Sequence, residues 1–266
     1  MTDSGGVPPR DDRATEIRIC EHPTVAASDR AIVETVKRVG VVTGANRGIG
    51  LEVVRQLVAV GDTVVLGSRD EVAGRQAAAT LGSLPGTVLA RRLDVLDQSS
   101  LQALASELTS TFGHIDVLVN NAAIHYDTWQ RPSNADLQVV EEAWGTNVLG
   151  AWRVALAFLP LLRASGHGRI VNVSSEAGSL TSMGSSTPAY SVSKAALNAL
   201  TKQLAADLRV DRILVNSVCP GWVATDMGGP GGRPVADGAA SVRWAIELPD
   251  DGPTGGFYRD GRPVPF

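Results

Sequence analysis

The chain has 266 residues, 44% hydrophobic, 20% charged and only 5% aromatic, with 24 Lys+Arg against 28 Asp+Glu for a net charge of −4. That length suits one large α/β domain or two small ones, and the mild acidity offers no basic field to grip a phosphate backbone, so no nucleic-acid partner is expected. Cys20 and Cys219 are the only cysteines, which excludes a disulfide framework or a cysteine-based metal cluster, and the four scattered histidines have no metal-ligand spacing, so no metal is expected.

In chain order, residues 1–37 come first and differ from the rest. Gly5, Gly6, Pro8 and Pro9 lead into a charge-dense stretch without sustained periodicity, which reads as a flexible N-terminal extension with no catalytic part. The acidic start (Asp3, Asp11, Asp12) lacks an apolar core, so it is not a secretory signal. The longest apolar run, 154–162, is half the ~18 residues of a membrane helix. No membrane partner is expected, and the expected location is cytoplasmic.

From Lys37 onward, short aliphatic runs recur at 39–43, 63–66, 88–93, 115–119, 170–173 and 213–218. They are continuous rather than alternating, as in strands covered on both faces. Helical segments separate them. The clearest is 99–112, with Leu101, Leu104, Ala105, Leu108 and Phe112 on one stripe and Asp97 or Ser99 as N-cap. This alternation predicts a doubly wound parallel sheet, a Rossmann-type three-layer αβα fold, in a single domain over 38–266.

The first strand runs into Thr43-Gly44-Ala45-Asn46-Arg47-Gly48-Ile49-Gly50, and a helical stretch follows over 51–60. Strand, glycine turn and helix together make a dinucleotide site. Gly44 allows the tight exit, Gly48 lets the backbone approach a pyrophosphate at the helix N-terminus, and Gly50 lets the helix pack on the sheet. The second strand ends in Gly67-Ser68-Arg69 where an NAD site would carry an acidic residue. Arg47 and Arg69 suit a phosphate dianion, which favours NADP(H). The competing reading is that both are solvated surface charges. Asp70 is expected to cap the next helix.

Further along, the strand at 115–119 ends in Asn120-Asn121-Ala122-Ala123, and Asn147 lies in a helix-like stretch over 141–157 where Gly145 and Gly150 make a bend plausible. The strand at 169–173 ends in Ser174-Ser175 at the carboxyl edge, where a hydroxyl can donate to a carbonyl gaining charge. Tyr190 and Lys194 sit four apart on a predicted helix, so phenol and ammonium share one face. A lysine there, together with an oxidised nicotinamide ring, is expected to lower the phenol pKa from its ordinary value near 10. Trp129, Met183 and Trp222 are candidates for an apolar pocket wall or for ordinary core. His125 is a loop histidine, and Cys219 a buried, inert one.

With these pieces in order, the chain resembles the short-chain dehydrogenase/reductase family over roughly 38–266. The matching segments are TGANRGIG at 43–50, Asp94, NNAA at 120–123, Asn147, VNVSS at 171–175, YSVSK at 190–194 and PGWVATDM at 220–227. Finer features, such as LGSRD, NSVCPGWVATDM and GPTGGFYRDGRPV, resemble its NADPH-dependent carbonyl reductase branch.

The resemblance implies that Tyr190 is the general acid and Ser175 polarises the carbonyl oxygen. It implies that Lys194 lowers the tyrosine pKa and binds the nicotinamide ribose, and that Asn147 holds a relay water. It also implies cofactor contacts from Gly44, Asn46, Arg47, Gly48, Ile49, Gly50, Arg69, Asp94, Val95, Asn121, Ala122, Tyr190, Lys194, Pro220, Gly221, Val223 and Thr225. The family's NNAG is NNAA here, which puts a methyl at Ala123. Only 14 residues separate Ser175 from Tyr190. The long insertion that covers the dimerisation surface of the vertebrate carbonyl reductases is therefore absent, so a homodimer or homotetramer is expected.

The glycine- and proline-rich stretch after Thr225 is placed as a substrate lid near 225–245. The function implied is NADPH-dependent reduction of a ketone or aldehyde to an alcohol. Its rivals are an NAD(P)+-dependent alcohol dehydrogenase and a non-catalytic NADP(H)-sensing regulator.

Overall fold

In the computed structural model the described residues are 1–2 and 37–266, so the expected N-terminal extension lies outside them. Each short aliphatic run forms a strand: β1 (Val39–Val42), β2 (Thr63–Ser68), β3 (Thr87–Arg92), β4 (Val117–Asn120), β5 (Arg169–Val173) and β6 (Leu214–Val218). Between and after them come α1 (Gly48–Ala59), α2 (Glu71–Thr80), α3 (Gln98–Thr111), α4 (Leu137–Trp144), α5 (Ala151–Ser165), α6 (Pro188–Asp207) and α7 (Val235–Ile246). Two short C-terminal strands, β7 (Phe257–Arg259) and β8 (Arg262–Pro263), complete the sheet.

The sheet order is β3-β2-β1-β4-β5-β6-β7-β8, parallel throughout except for the β7–β8 hairpin. The chain therefore winds outward from β1 in one direction and from β4 in the other. The carboxyl ends of these two central strands part at the switch point, which opens a crevice there.

Successive strand residues point to opposite faces, and this divides the core into two layers. Val41, Val65, Leu118 and Ile170 pack with Leu101, Leu104 and Leu108 of α3, Phe158 and Leu162 of α5, and Leu197 and Leu204 of α6. Their neighbours Val42, Val64, Val119 and Val171 pack on the other side with Val53, Val54 and Leu57 of α1 and Val242 and Ile246 of α7. Both faces are covered, which explains the unbroken apolar runs.

Local sequence sets the helix starts. Asp97 accepts from the Ser99 and Ser100 amides to cap α3, and Asp70 accepts from the Val72 and Ala73 amides to cap α2. The stretch read from sequence as a bent helix over 141–157 is longer. Residues Leu137–Ser165 form one helix with a single wide π turn at Gly145–Gly150. By length and composition it is apolar enough to cross a membrane, which the run at 154–162 did not reveal. In the fold its inner face joins the core through Val154, Phe158, Leu161 and Leu162.

Phe158 has no solvent exposure and stands between α3 and the sheet. Phe158→Ala is expected to lower the unfolding free energy by about 3–5 kcal/mol, measured by urea denaturation.

Candidate active site

The crevice at the switch point is built on close backbone approach. Gly44 and Gly48 have φ of +60° and +56°, values that L side chains rarely adopt. A Cβ at Gly44 would come 2.9 Å from the Ala122 Cα, and one at Gly50 would come 2.5 Å from the Asn121 Nδ2. The Asn121 amide donates to the carbonyls of Thr43 and Gly44 at 3.0 Å each, while the Thr43 hydroxyl accepts from the Asn121 and Ala122 amides at 3.0 Å. The loops after β1 and β4 are thus riveted together. The Asn121 side chain is committed to this brace.

α1 opens with no side-chain cap and no acidic residue in its first turn. Its first amides therefore have no partner of their own and carry the positive end of the helix dipole. They open on a cavity of about 970 Å³ lined by the glycine loop, Arg69, Asp94 and Val95, Asn121 to Ile124, Tyr190, Lys194, and Pro220 with Thr225 to Met227. A glycine floor, unpaired helix amides and two rim arginines fit a dinucleotide phosphate.

The rim explains the charge reading in part. Asp70 turns its carboxylate onto α2. Arg69 is exposed on the cavity rim. Arg47 is also on the rim, where one guanidinium nitrogen pairs at 2.9 Å with the exposed Asp226 carboxylate, which competes with a phosphate for its charge.

The acid–base residues converge on α6. Tyr190 lies in its first turn and Lys194 one turn on. Lys194 is 2% exposed, its Nζ donating to the Val173 carbonyl at 2.7 Å and standing 5.4 Å from the centre of the Tyr190 ring. Ser175 caps the turn after β5, its Oγ accepting from the Ala177 amide at 3.2 Å. That turn presses on α6, for a Cβ at Gly178 would come 2.6 Å from the Lys194 carbonyl carbon.

Asn147, in the π turn, is 1% exposed. Its Oδ1 accepts from the Ile124 amide at 2.9 Å, and its Nδ2 donates to the Ile124 carbonyl at 3.1 Å and the Ser193 Oγ at 2.9 Å. The Ser193 hydroxyl in turn donates to the Tyr190 carbonyl at 2.7 Å. The turn packs closely on the loop after β3: at Gly150 a Cβ would meet Val95 Cγ2 at 2.7 Å.

Burial governs both titrating groups. It pushes the Tyr190 phenol well above its ordinary value, with Ser175 pulling the other way. The lysine is not among the groups that move it. The Nζ turns to Val173, and desolvation dominates at the phenol. Burial also draws the Lys194 ammonium down to about 8.

Gly50, Asn147, Gly221 and Val223 do not line the cavity, and Ser175, half-buried next to the lining Ser174, hydrogen-bonds the Tyr190 phenol. Trp129, Met183 and Trp222 are not on the wall either, and Trp129 and Trp222 are exposed. Trp222 donates its indole N–H to the Gly228 carbonyl at 2.7 Å. The apolar wall comes instead from Ile124, Met227 and Val235. His125, with φ of +59°, pairs with Glu142 at 2.7 Å. Cys219 is buried, and burial pushes its thiol up. Among the described residues no His/Cys/Asp/Glu group could hold a metal.

The family model for short chain dehydrogenases matches residues 38–233. The (+)-neomenthol dehydrogenase of Arabidopsis thaliana is 34% identical, over 85% of this chain and 97% of its own. Carbonyl reductase [NADPH] 1 of Sus scrofa is also 34% identical, over 85% and 93%. Among solved structures, the NADPH-bound carbonyl reductase from chicken fatty liver superposes with a TM-score of 0.77 at 27% identity, covering 86% of this chain and 99% of that one.

Lys194 offers a direct test of the buried site. Below pH 8 both folded and unfolded chains hold its proton. Between about 8 and the unfolded value of 10.5 only the unfolded chain does, so stability rises with pH across that window. Urea unfolding is expected to show wild type gaining stability relative to Lys194→Met from pH 8 to 10.5, with no change in the difference between pH 6 and 7. A flat difference would contradict the burial.

Proposed function

The chain belongs to the short-chain dehydrogenase/reductase family, in its carbonyl reductase branch, and from that premise we propose that it reduces a ketone or aldehyde to the alcohol with NADPH. The observation that carries the reading is the Tyr190 phenol, held beside Lys194 on a cavity continuous with the glycine cradle. When bound, the dihydronicotinamide supplies the hydride. Tyr190 donates its proton to the carbonyl oxygen, and Ser175 donates a hydrogen bond to the same oxygen as charge develops there. Lys194 holds its amine against Val173, positioned for the nicotinamide ribose. Asn147 acts through its side chain as a brace, tying Ile124 on the cavity wall to the backbone of α6.

The cofactor is NADP(H). The uncapped start of α1 takes the pyrophosphate, and Asp94 with Val95 takes the adenine. Arg69 takes the 2′-phosphate, joined by Arg47 once it leaves Asp226. The catalytic domain is 38–266. Its lid is confined to 225–234, since α7 is a helix packed on the core through Ala239, Val242 and Ile246. That segment is held by the bridges Val223–Arg233 and Thr225–Gly229 and by Arg233 on Asp260. A homo-oligomer is supported by Leu137, Trp144, Trp152 and Leu156, all exposed along one continuous helix. The apolar wall and open mouth suit a small carbonyl substrate, and we place the reaction in the cytoplasm.

Three measurements check this reading. Tyr190→Phe is expected to lower NADPH oxidation with a carbonyl substrate at least ~100-fold while leaving the NADPH dissociation constant within about twofold. Loss of cofactor binding in that variant would overturn the role given to the phenol. Arg69→Ala is expected to weaken NADPH by roughly 10-fold or more, the size of a charge-assisted hydrogen bond, without weakening NADH. Asp226→Asn frees Arg47 and is expected to tighten NADPH by up to about fivefold, the limit for an exposed ion pair.

A further inference from the structure

The N-terminus of α6 has an unusual cap. Thr187, at the capping position, has φ of +52° and makes no side-chain hydrogen bond to the helix amides. Its hydroxyl meets the Ser191 hydroxyl instead, at 2.9 Å. Pro188 follows and has no N–H to offer. The first amides in need of an acceptor are therefore those of Ala189 and Tyr190. Both go to one distant carboxylate. Asp127 Oδ2 accepts from the Ala189 amide at 2.9 Å, and Asp127 Oδ1 accepts from the Tyr190 amide at 3.0 Å.

Asp127 has no solvent exposure. A buried carboxylate is costly unless hydrogen-bonded. Here two helix amides, the helix dipole and the Gln130 side-chain amide (3.2 Å to Oδ2) surround it. Gln130 is fixed in turn, its Oε1 accepting from the Asp136 amide at 2.5 Å.

The segment leading to Asp127 touches the acid site twice more. Ile124 is held at both its amide and its carbonyl by Asn147. Tyr126 sets its ring edge-on to the Tyr190 ring, with centroids 5.2 Å apart. Backbone and ring of the same tyrosine are thus gripped by neighbouring residues of one short strap.

We propose that Asp127 is a positioning residue, whose buried carboxylate clamps the first turn of α6 and so sets where the Tyr190 phenol stands over the cavity. The inference rests on the reading of Tyr190 as the acid. An ordinary helix cap contributes to stability and leaves the rate constant alone. A clamp on the residue that gives the proton acts on kcat, because displacement of a reacting group by an ångström is enough to cost up to about 100-fold.

The test compares Asp127→Asn and Asp127→Ala with wild type and Tyr190→Phe, using NADPH and 4-nitrobenzaldehyde as probe substrate. Asparagine keeps the shape but has one acceptor oxygen and sets its NH2 against the second amide. It is expected to lower kcat about 10-fold, and alanine about 100-fold. KM and the NADPH dissociation constant, from fluorescence titration, stay within about twofold in the asparagine variant.

If Asp127→Ala does not fold, the asparagine variant carries the test. Unchanged kcat in Asp127→Asn, or a loss of NADPH affinity that matches the loss of kcat, overturns the clamp. If Tyr190→Phe itself keeps wild-type kcat, or wild type oxidises no NADPH with this aldehyde or any other carbonyl of a panel, the underlying reading fails and the clamp with it. A rate loss in Tyr190→Phe alone overturns only the clamp.

Discussion

The hydrogen bond from the Lys194 amine to the Val173 carbonyl is the contact on which the rest of the site depends. It joins α6 to the carboxyl end of β5 across a water-excluded space, with the amine 2% exposed. An ammonium in such a place is unfavourable unless it finds acceptors. The sheet edge supplies one because strand β5 stops there. The helix approaches closely enough only because Gly178 has no side chain. Everything chemical on α6 is then fixed in rotation. Tyr190 stands one turn before the lysine, and the tyrosine must face the same crevice.

Two further braces bring the halves of that crevice together. Thr43 and Asn121 bind the loops of β1 and β4, so the glycine cradle and the wall at Ala122 move as one body. Asn147 and Asp127 bind the continuation of that wall to α6 from either side. The neighbouring polar ladder runs deeper: the Asn120 amide donates to Asn172, the Asn172 amide to Thr201, and Thr201 shares a hydrogen bond with Ser217. Polar groups this far inside are tolerated where they are paired, and of this ladder only the Asn120 Oδ1 is buried without a partner. The Tyr190 phenol is held in place by backbone as much as by side chains.

Local signals made most of this legible in the sequence. The β-branched runs 63–66 and 213–218 mark strands because parallel strands are buried on both faces. Asp70 and Asp97 cap the helices they precede because capping is decided within three residues. The glycine loop, Asn147, Ser175 and the Tyr190–Lys194 pair stand in the short-chain dehydrogenase order, and the structure gathers them around the switch point. What escaped is non-local. Asp127 meets α6 some sixty positions away, and no spacing rule reaches that far. Arg47 meets Asp226 through a loop whose conformation the residues do not announce. The π turn at 145–150 packs its Gly150 against Val95 in the loop after β3. Desolvation at the phenol is likewise not written in the spacing, since residue spacing reports neighbours but not burial. Trp129 and Trp222 were attractive by type alone, and the loops carrying them leave both exposed.

The central claim is that the buried phenol of Tyr190 serves a carbonyl reduction in this cavity. Incubating the protein with NADPH deuterated at C4 and a panel of ketones and aldehydes tests it most directly. The account predicts that at least one carbonyl is converted to an alcohol bearing a single deuterium on the carbinol carbon, in step with NADPH oxidation. Tight NADPH binding with no deuterium transferred to any carbonyl would contradict it.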